Sequence, residues 1–191
     1  DPDLDPGNKT LLYSLSYEGP NAAAPGSTAC TLVKNFTTEL SASFYSERVC
    51  FNSDNLRMYS EDTAGKATKI TRNTSGMMTK LIDEKGNITQ YDYDAKRRVT
   101  KKILPDTSQW HTEMLYTYED TFNRITQVKE VATLLSNPTL PAVTKITSYT
   151  IDPTNGNILS VVDPLGKTES FSYDSFGNIV THTDKNGNKK T

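Results

Sequence analysis

Glycine recurs in this chain on a fixed clock. Gly65, Gly76 and Gly86 are followed by Arg97 at intervals of 11, 10 and 11 residues, and Gly156, Gly166, Gly177 and Gly187 run at 10, 11 and 10. Each pair of neighbouring intervals sums to 21 residues. Sliding the first block by 80 positions lays Tyr91 on Phe171, Tyr93 on Tyr173, Asp94 on Asp174 and Arg97 on Gly177. Aspartates keep the same time, since Asp83, Asp163 and Asp184 each stand seven residues after a glycine (Gly76, Gly156, Gly177). Self-similarity at such a period means a repeat array, in which one unit cannot bury its apolar face alone and must pack on its neighbours.

The segments between turns are six or seven residues long, the length of a strand of roughly 20 Å. They alternate. In "TESFSYD" Phe171 and Tyr173 share one face, as do Tyr91 and Tyr93 in "TQYDYD", and Met114, Tyr116 and Tyr118 in "MLYTYED". The turns account for the glycines: a hairpin of three to five residues needs positive φ near its end, where Gly or Asn is cheapest. Asp at the first turn position can accept hydrogen bonds from the backbone two residues on. Asp83 with Gly86, Asp163 with Gly166 and Asp184 with Gly187 satisfy this recipe, as do Tyr93 with Asp94, and Tyr173 with Asp174 and Gly177. Alternating D-x-x-G and Y-D-x-x-G turns predict an all-β antiparallel meander of hairpin repeats, two strands per 21 residues. Arg97 and Asn123 stand near expected glycines, so those turns must accept other side chains.

The clock does not reach the whole chain. Residues 1–48 read as an irregular segment with a few strands and a degenerate first repeat, and 49–191 as the array, with a longer loop near 132–142. "TLLYSLSY" alternates as a strand, and "CTLVKNFTTELSASFYSERVCF" is one long bent strand or two. "SNPTLP" forms the extended loop, because Pro138 and Pro141 cannot serve a ladder; a short helix through "KEVATLLS" is the alternative. Cys30 and Cys50 are the only cysteines. They form one disulfide or stay as two buried thiols, and a bridge would suit an extracellular or periplasmic setting. The chain opens on Asp1 without Met, which predicts a piece processed or excised from something longer.

Several function classes find no support in the residues. A net charge of -2 offers no electrostatic case for nucleic acid or an anionic membrane. No apolar run approaches the roughly 18 residues of a membrane helix. His111 and His182 sit in strand-like runs without a second ligand at metal spacing, and read as solvated strand histidines. No nucleophile elbow, phosphate loop or dinucleotide fingerprint occurs, so the chain reads as non-enzymatic and without cofactor. "DKNGNKK" places Gly187 fourth rather than sixth, unlike a calcium loop. Lys96, Arg97, Arg98, Lys101 and Lys102 form a basic cluster that alternation would divide between faces, which reads as a solvated turn. The four N-x-[ST] sequons, at Asn8, Asn35, Asn73 and Asn87, are close to the number chance supplies. The aromatic face (Tyr91, Tyr116, Tyr118, Phe171) is first a stabilising cross-strand ladder and second a platform on which sugar rings could stack.

"YDSFGNIVTHTDKNGN", "YDYDAKRRVTKKILPD" and "DPLGKTESFSYD" resemble YD repeats, also called RHS repeats, over roughly residues 51–191 with an interruption in the middle. The resemblance implies that the meander curls into a spiralling sheet forming part of a hollow shell. Such shells enclose a toxin or C-terminal domain in bacterial RHS proteins and insecticidal toxin complexes, and form an extracellular barrel in teneurins. It therefore implies a structural segment of a larger secreted or cell-surface protein. Its partners would be flanking repeats and a cargo domain, with self-association through exposed sheet edges. The alternative is an adhesion or carbohydrate-binding module using the aromatic face. Bacterial members also carry a self-cleavage motif of Asp-Pro-x-Gly-Leu type; here Lys167 follows "DPLG", so the stretch reads as an ordinary turn.

Overall fold

The computed structural model describes residues 12–20, 24, 26–36, 45–62 and 64–191. Among the described residues there are strands and turns and no helix. The chain divides into two units, residues 1–89 and 90–191. The first holds β1 (Leu12–Glu18), β2 (Ala29–Phe36), β3 (Tyr45–Phe51), β4 (Arg57–Glu61), β5 (Ala67–Arg72) and β6 (Met78–Ile82). Each of these pairs antiparallel with the next. Strand β7 (Ile88–Tyr93) leads into the second unit, which continues with β8 (Val99–Ile103), β9 (Trp110–Tyr118), β10 (Ile125–Leu134) and β11 (Val143–Ile151). It ends with β12 (Ile158–Val162), β13 (Thr168–Tyr173), β14 (Ile179–Thr183) and β15 (Lys189–Lys190). From β7 to β15 every strand again pairs antiparallel with its successor. The all-β hairpin meander expected from the clock is the fold.

Register explains why the clock alternates between 10 and 11. Hairpins β3–β4, β5–β6, β7–β8, β11–β12 and β13–β14 each shift register near the turn, for example between Asp92/Tyr93 and between Ser172/Tyr173. The β4–β5 and β12–β13 hairpins show no shift. A bulge gives one strand an extra residue opposite a single partner. In each shifted hairpin that residue belongs to the second strand: Tyr93 faces Val99 while Asp92 faces Lys101, leaving Thr100 unpaired. Bulged and unbulged strands therefore alternate. The short glycine interval spans a bulged five-residue strand such as β6 or β14, and the long interval a regular six-residue strand such as β5 or β13.

The most deeply buried cluster lies in the first unit. Cys30 and Cys50 face one another across β2 and β3 and are joined, with S–S 2.06 Å. Both are fully buried, with Ala24 and Tyr59 beside them and Ala67 at the margin. The "CTLV…VCF" stretch is thus two strands, and its middle, 37–44, lies outside the described residues, as does the tail 1–11 with Asn8. The helix alternative through "KEVATLLS" gives way to β10, which stays extended to Leu134 because Ala132, Val131 and Glu130 pair on both sides. Residues 135–142 connect β10 to β11 as a loop.

Candidate functional site

In a meander of this kind the working parts are the turns. Asp83 Oδ1 accepts from the amides of Lys85 and Asn87, both at 2.9 Å, while Gly86 donates to the Asp83 carbonyl. Asp163 receives Leu165 and Lys167 in the same way, Asp174 receives Phe176 and Asn178, and Asp184 receives Asn186 and Asn188. Asn52, Asp62 and Asn73 repeat the arrangement. One carboxylate or amide oxygen thus closes two amides that a tight loop would otherwise leave without a partner. Three residues on, the backbone enters the left-handed region: Gly86 at φ 84°, Gly177 at 86°, but Asn55 at 57° and Arg97 at 64°. Two turns are one residue longer, Glu119–Arg124 and Asp152–Asn157. Glutamate suits the first because its extra methylene reaches the amides of Thr121, Phe122 and Arg124.

Turns fall alternately on the two edges of the meander within each unit, and three pairs of successive turns on the Tyr-Asp edge are fastened together. The Tyr173 hydroxyl donates to the carbonyl of Ile158, 2.8 Å away, two residues past the left-handed Gly156. The Tyr118 hydroxyl does the same to Val99, two residues past Arg97, at 2.7 Å. In the first unit Arg72 takes this place. Its guanidinium donates to the carbonyl of Arg57, two past Asn55, and to that of Gly76. In these three turns the preceding residue is therefore a long donor that reaches back one repeat. Tyr173→Phe removes one hydroxyl and should cost about 1 kcal/mol, read as a lower urea midpoint with an unchanged slope; no shift would deny the bond any weight.

Arg98 adds a second fastening. It pairs with Asp94 at 2.7 Å within its own turn, and reaches Asp120, the Glu119 carbonyl and Asn123 of the next turn on that edge. It also lies over the Tyr118 ring, 4.8 Å from the centroid. Its side chain is only 17% exposed, which corrects the reading of the basic cluster as a solvated turn. Lys96 joins it on Asp120 and Lys101 bonds Glu113, whereas Lys102 lies over Tyr91. Arg98→Ala should speed amide exchange in residues 119–124 while leaving the turn at Asp163 unchanged; equal exchange in both would deny the fastening.

The turn carboxylates of Asp83, Asp94, Asp163, Asp174 and Asp184 are held below their ordinary range. The side-chain amide of Asn87 does this for Asp83, that of Asn178 for Asp174 and that of Asn188 for Asp184. For Asp94 the amide of Arg98 leads, and for Asp163 the Lys185 ammonium, 3.0 Å away on the next turn of the opposite edge. A carboxyl depressed in the folded state stabilises above its unfolded pKa of about 4, and the contribution is lost as pH falls through the folded value. Urea midpoints should therefore be flat from neutral pH to about 5 and fall steeply below about 4. A midpoint unchanged at about pH 3 would sink this.

Neither histidine is merely solvated. His182 stacks on Phe171 with centroids 5.0 Å apart and planes 4° apart, and its Nε2 lies 2.6 Å from Glu169. His111 Nδ1 lies 2.7 Å from Asp106. Tyr91, Tyr93, Tyr116 and Tyr118 are half-buried on β7 and β9. Tyr91 and Phe171 thus each meet a side chain of the neighbouring strand. Among the described residues no group of three or more metal-ligating side chains converges, and no helix is long and apolar enough to cross a membrane.

Residues 153–189, which hold the turns at Asp163, Asp174 and Asp184, match the family described as RHS Repeat. That stretch of the chain is similar to an RHS repeat. No curated protein matches the chain. Among solved structures the chain is similar to one titled "Crystal Structure of TcdB2-TccC3-Cdc42", with 13% identity and a TM-score of 0.35 over 91% of this chain and 12% of that one. It is likewise similar to a Photorhabdus luminescens Tc holotoxin pore bearing a TccC3 mutation, with 14% identity, a TM-score of 0.32 and the same coverages. The chain thus spans about an eighth of the chains it resembles. Arg72, Arg98, Phe122 and Gly156, which fasten the turns of this chain, were not singled out from sequence for that role. Their signal was positional, each standing within two residues of a turn's first residue or of its left-handed one.

Proposed function

We propose that this chain is a structural, non-enzymatic wall segment of a larger secreted or cell-surface RHS/YD-repeat protein, part of a β-shell around a toxin or C-terminal cargo domain. The observation that carries this reading is the fastening of one turn to its predecessor on the same edge by Arg72, Tyr118 and Tyr173. A wall needs such links, which hold neighbouring hairpins in register. Residues 49–191 form the array proper, with the turns at Asp83, Asp94, Asp163, Asp174 and Asp184 as its defining points, and residues 1–48 a degenerate entry. The buried Cys30–Cys50 bridge supports an oxidising compartment. Flanking repeats and cargo are the partners.

Limited proteolysis of the full parent protein tests this. A resistant array that retains a small C-terminal fragment is the expected result, and free cutting with nothing retained would overturn it. The half-buried rings of Tyr91, Tyr116, Tyr118 and Phe171 favour a second reading, a glycan-binding face. Glycan-array binding lost on Tyr91→Ala would carry that reading.

A further inference from the structure

Phe176 is 89% exposed, an unusual place for so large an apolar ring. It stands directly before Gly177, the left-handed residue of its turn, just as Phe122 stands before Asn123. Yet Phe122 is 36% exposed. The difference is a socket: the Phe122 ring lies against Gly156, the left-handed residue of the next turn on that edge, where an added Cβ would sit 2.7 Å from Phe122 Cγ. Leu56 meets Gly76 in the same manner, with its Cδ1 2.9 Å from the added Cβ. Glycine in these turns is thus both a backbone requirement and a receptacle for an apolar knob of the preceding turn.

The same comparison extends to the strand edge. Ile179, two residues past Gly177, occupies the position of Ile158, whose carbonyl receives the Tyr173 hydroxyl. Ile179 is 57% exposed and Val180 49%. Strand β15 pairs with β14 only at His182 and Thr183, so among the described residues Ile179–Thr181 have no ladder partner on that side.

We propose that Phe176, Ile179 and Val180 form a docking surface for one further Tyr-Asp-type turn of a following repeat. That turn would present a glycine at its left-handed position to receive the Phe176 ring, and before its first residue a tyrosine or arginine to donate to the Ile179 carbonyl. The inference rests on reading this chain as a segment of a longer array. A second copy of the chain matches poorly, because its first turn on that edge offers Phe51 and Asn55 at these two positions, neither a donor nor a bare backbone.

Register supplies the test. Continuing the pairs His182–Lys190 and Thr183–Lys189 sets Thr191 opposite Thr181, as Ser170 lies opposite Ser160. The chain is lengthened after Thr191 by the eight residues that follow Ser170, Phe-Ser-Tyr-Asp-Ser-Phe-Gly-Asn. A fluorophenylalanine at Phe176 should then become as shielded from solvent as one at Phe122, and amide exchange over Ile179–Thr181 should slow by about tenfold or more. With valine in place of the appended glycine, or with Phe176→Ala in the lengthened chain, most of that slowing should disappear. A Phe176 signal unmoved by the extension overturns the proposal, and so does equal slowing with glycine and valine, which would mean edge pairing without a socket. These outcomes concern this chain alone. A parent protein that shields no cargo would refute the shell reading and leave the docking result standing.

Discussion

Replacing both cysteines, Cys30→Ala with Cys50→Ala, should lower the unfolding free energy of the first unit by about 3 kcal/mol. The two are 20 residues apart in sequence. In the chain-entropy account, a cross-link over a loop of that size restricts the unfolded ensemble by roughly this amount. Alanine is the suitable replacement, since both positions are fully buried and a serine hydroxyl there would add a desolvation cost of about 1–3 kcal/mol. The loss should be confined. Amides of β2, β3 and β4 should exchange faster, while those of β12 to β14 keep their native rates, because stability in repeat arrays is built from nearest-neighbour terms. A loss under about 1 kcal/mol would mean that the strands of this unit hold one another without the bridge. Uniform acceleration across both units would show instead that the chain melts as one body.

Gly156→Ala should be the most damaging glycine substitution, at about 2–4 kcal/mol, from two separable sources. The backbone at Gly156 has φ 77°, and holding a side chain there costs about 1–3 kcal/mol. The new methyl would also meet three atoms of Phe122 between 2.7 and 3.1 Å. Gly177→Ala supplies the control, with φ 86° and nothing within 4 Å of the added carbon, so only the backbone part should be lost. Combining Gly156→Ala with Phe122→Ala should recover the steric part, leaving the pair of substitutions less damaging than the sum of the singles. Additive losses in that cycle would deny any contact between the two turns. Chemical denaturation with an intact spectrum for each variant gives all four values.

Much of this was legible in the sequence because turns of this kind are local. An Asp that closes its own loop and a glycine three residues later need nothing from the rest of the chain, so the meander follows from spacing alone. The 10/11 alternation was visible too, but its cause was not, since a bulge exists only between two paired strands. The fastenings were hidden for the same reason. Arg98 sits in what reads as a solvated basic run, and only pairing places Asp120 and Asn123 beside it. Arg72 looks unlike Tyr173 and Tyr118, yet makes the equivalent bond to a carbonyl two residues past a left-handed position. His182 looked isolated because Glu169 and Phe171 are distant in sequence and adjacent only across β13 and β14.

The alternation of bulged and regular strands imposes a parity on the chain. Removing one full period of 21 residues from between Asp163 and Asn188 would return every downstream turn to its own edge, with its donor still aimed at a carbonyl. Removing only 10 or 11 would send each Tyr-Asp turn to the opposite edge, where its tyrosine meets no carbonyl and the extra residue of each bulge falls out of place. Arrays built on this plan can therefore lengthen or shorten only in even counts of strands, so any change in their length arrives as whole hairpins.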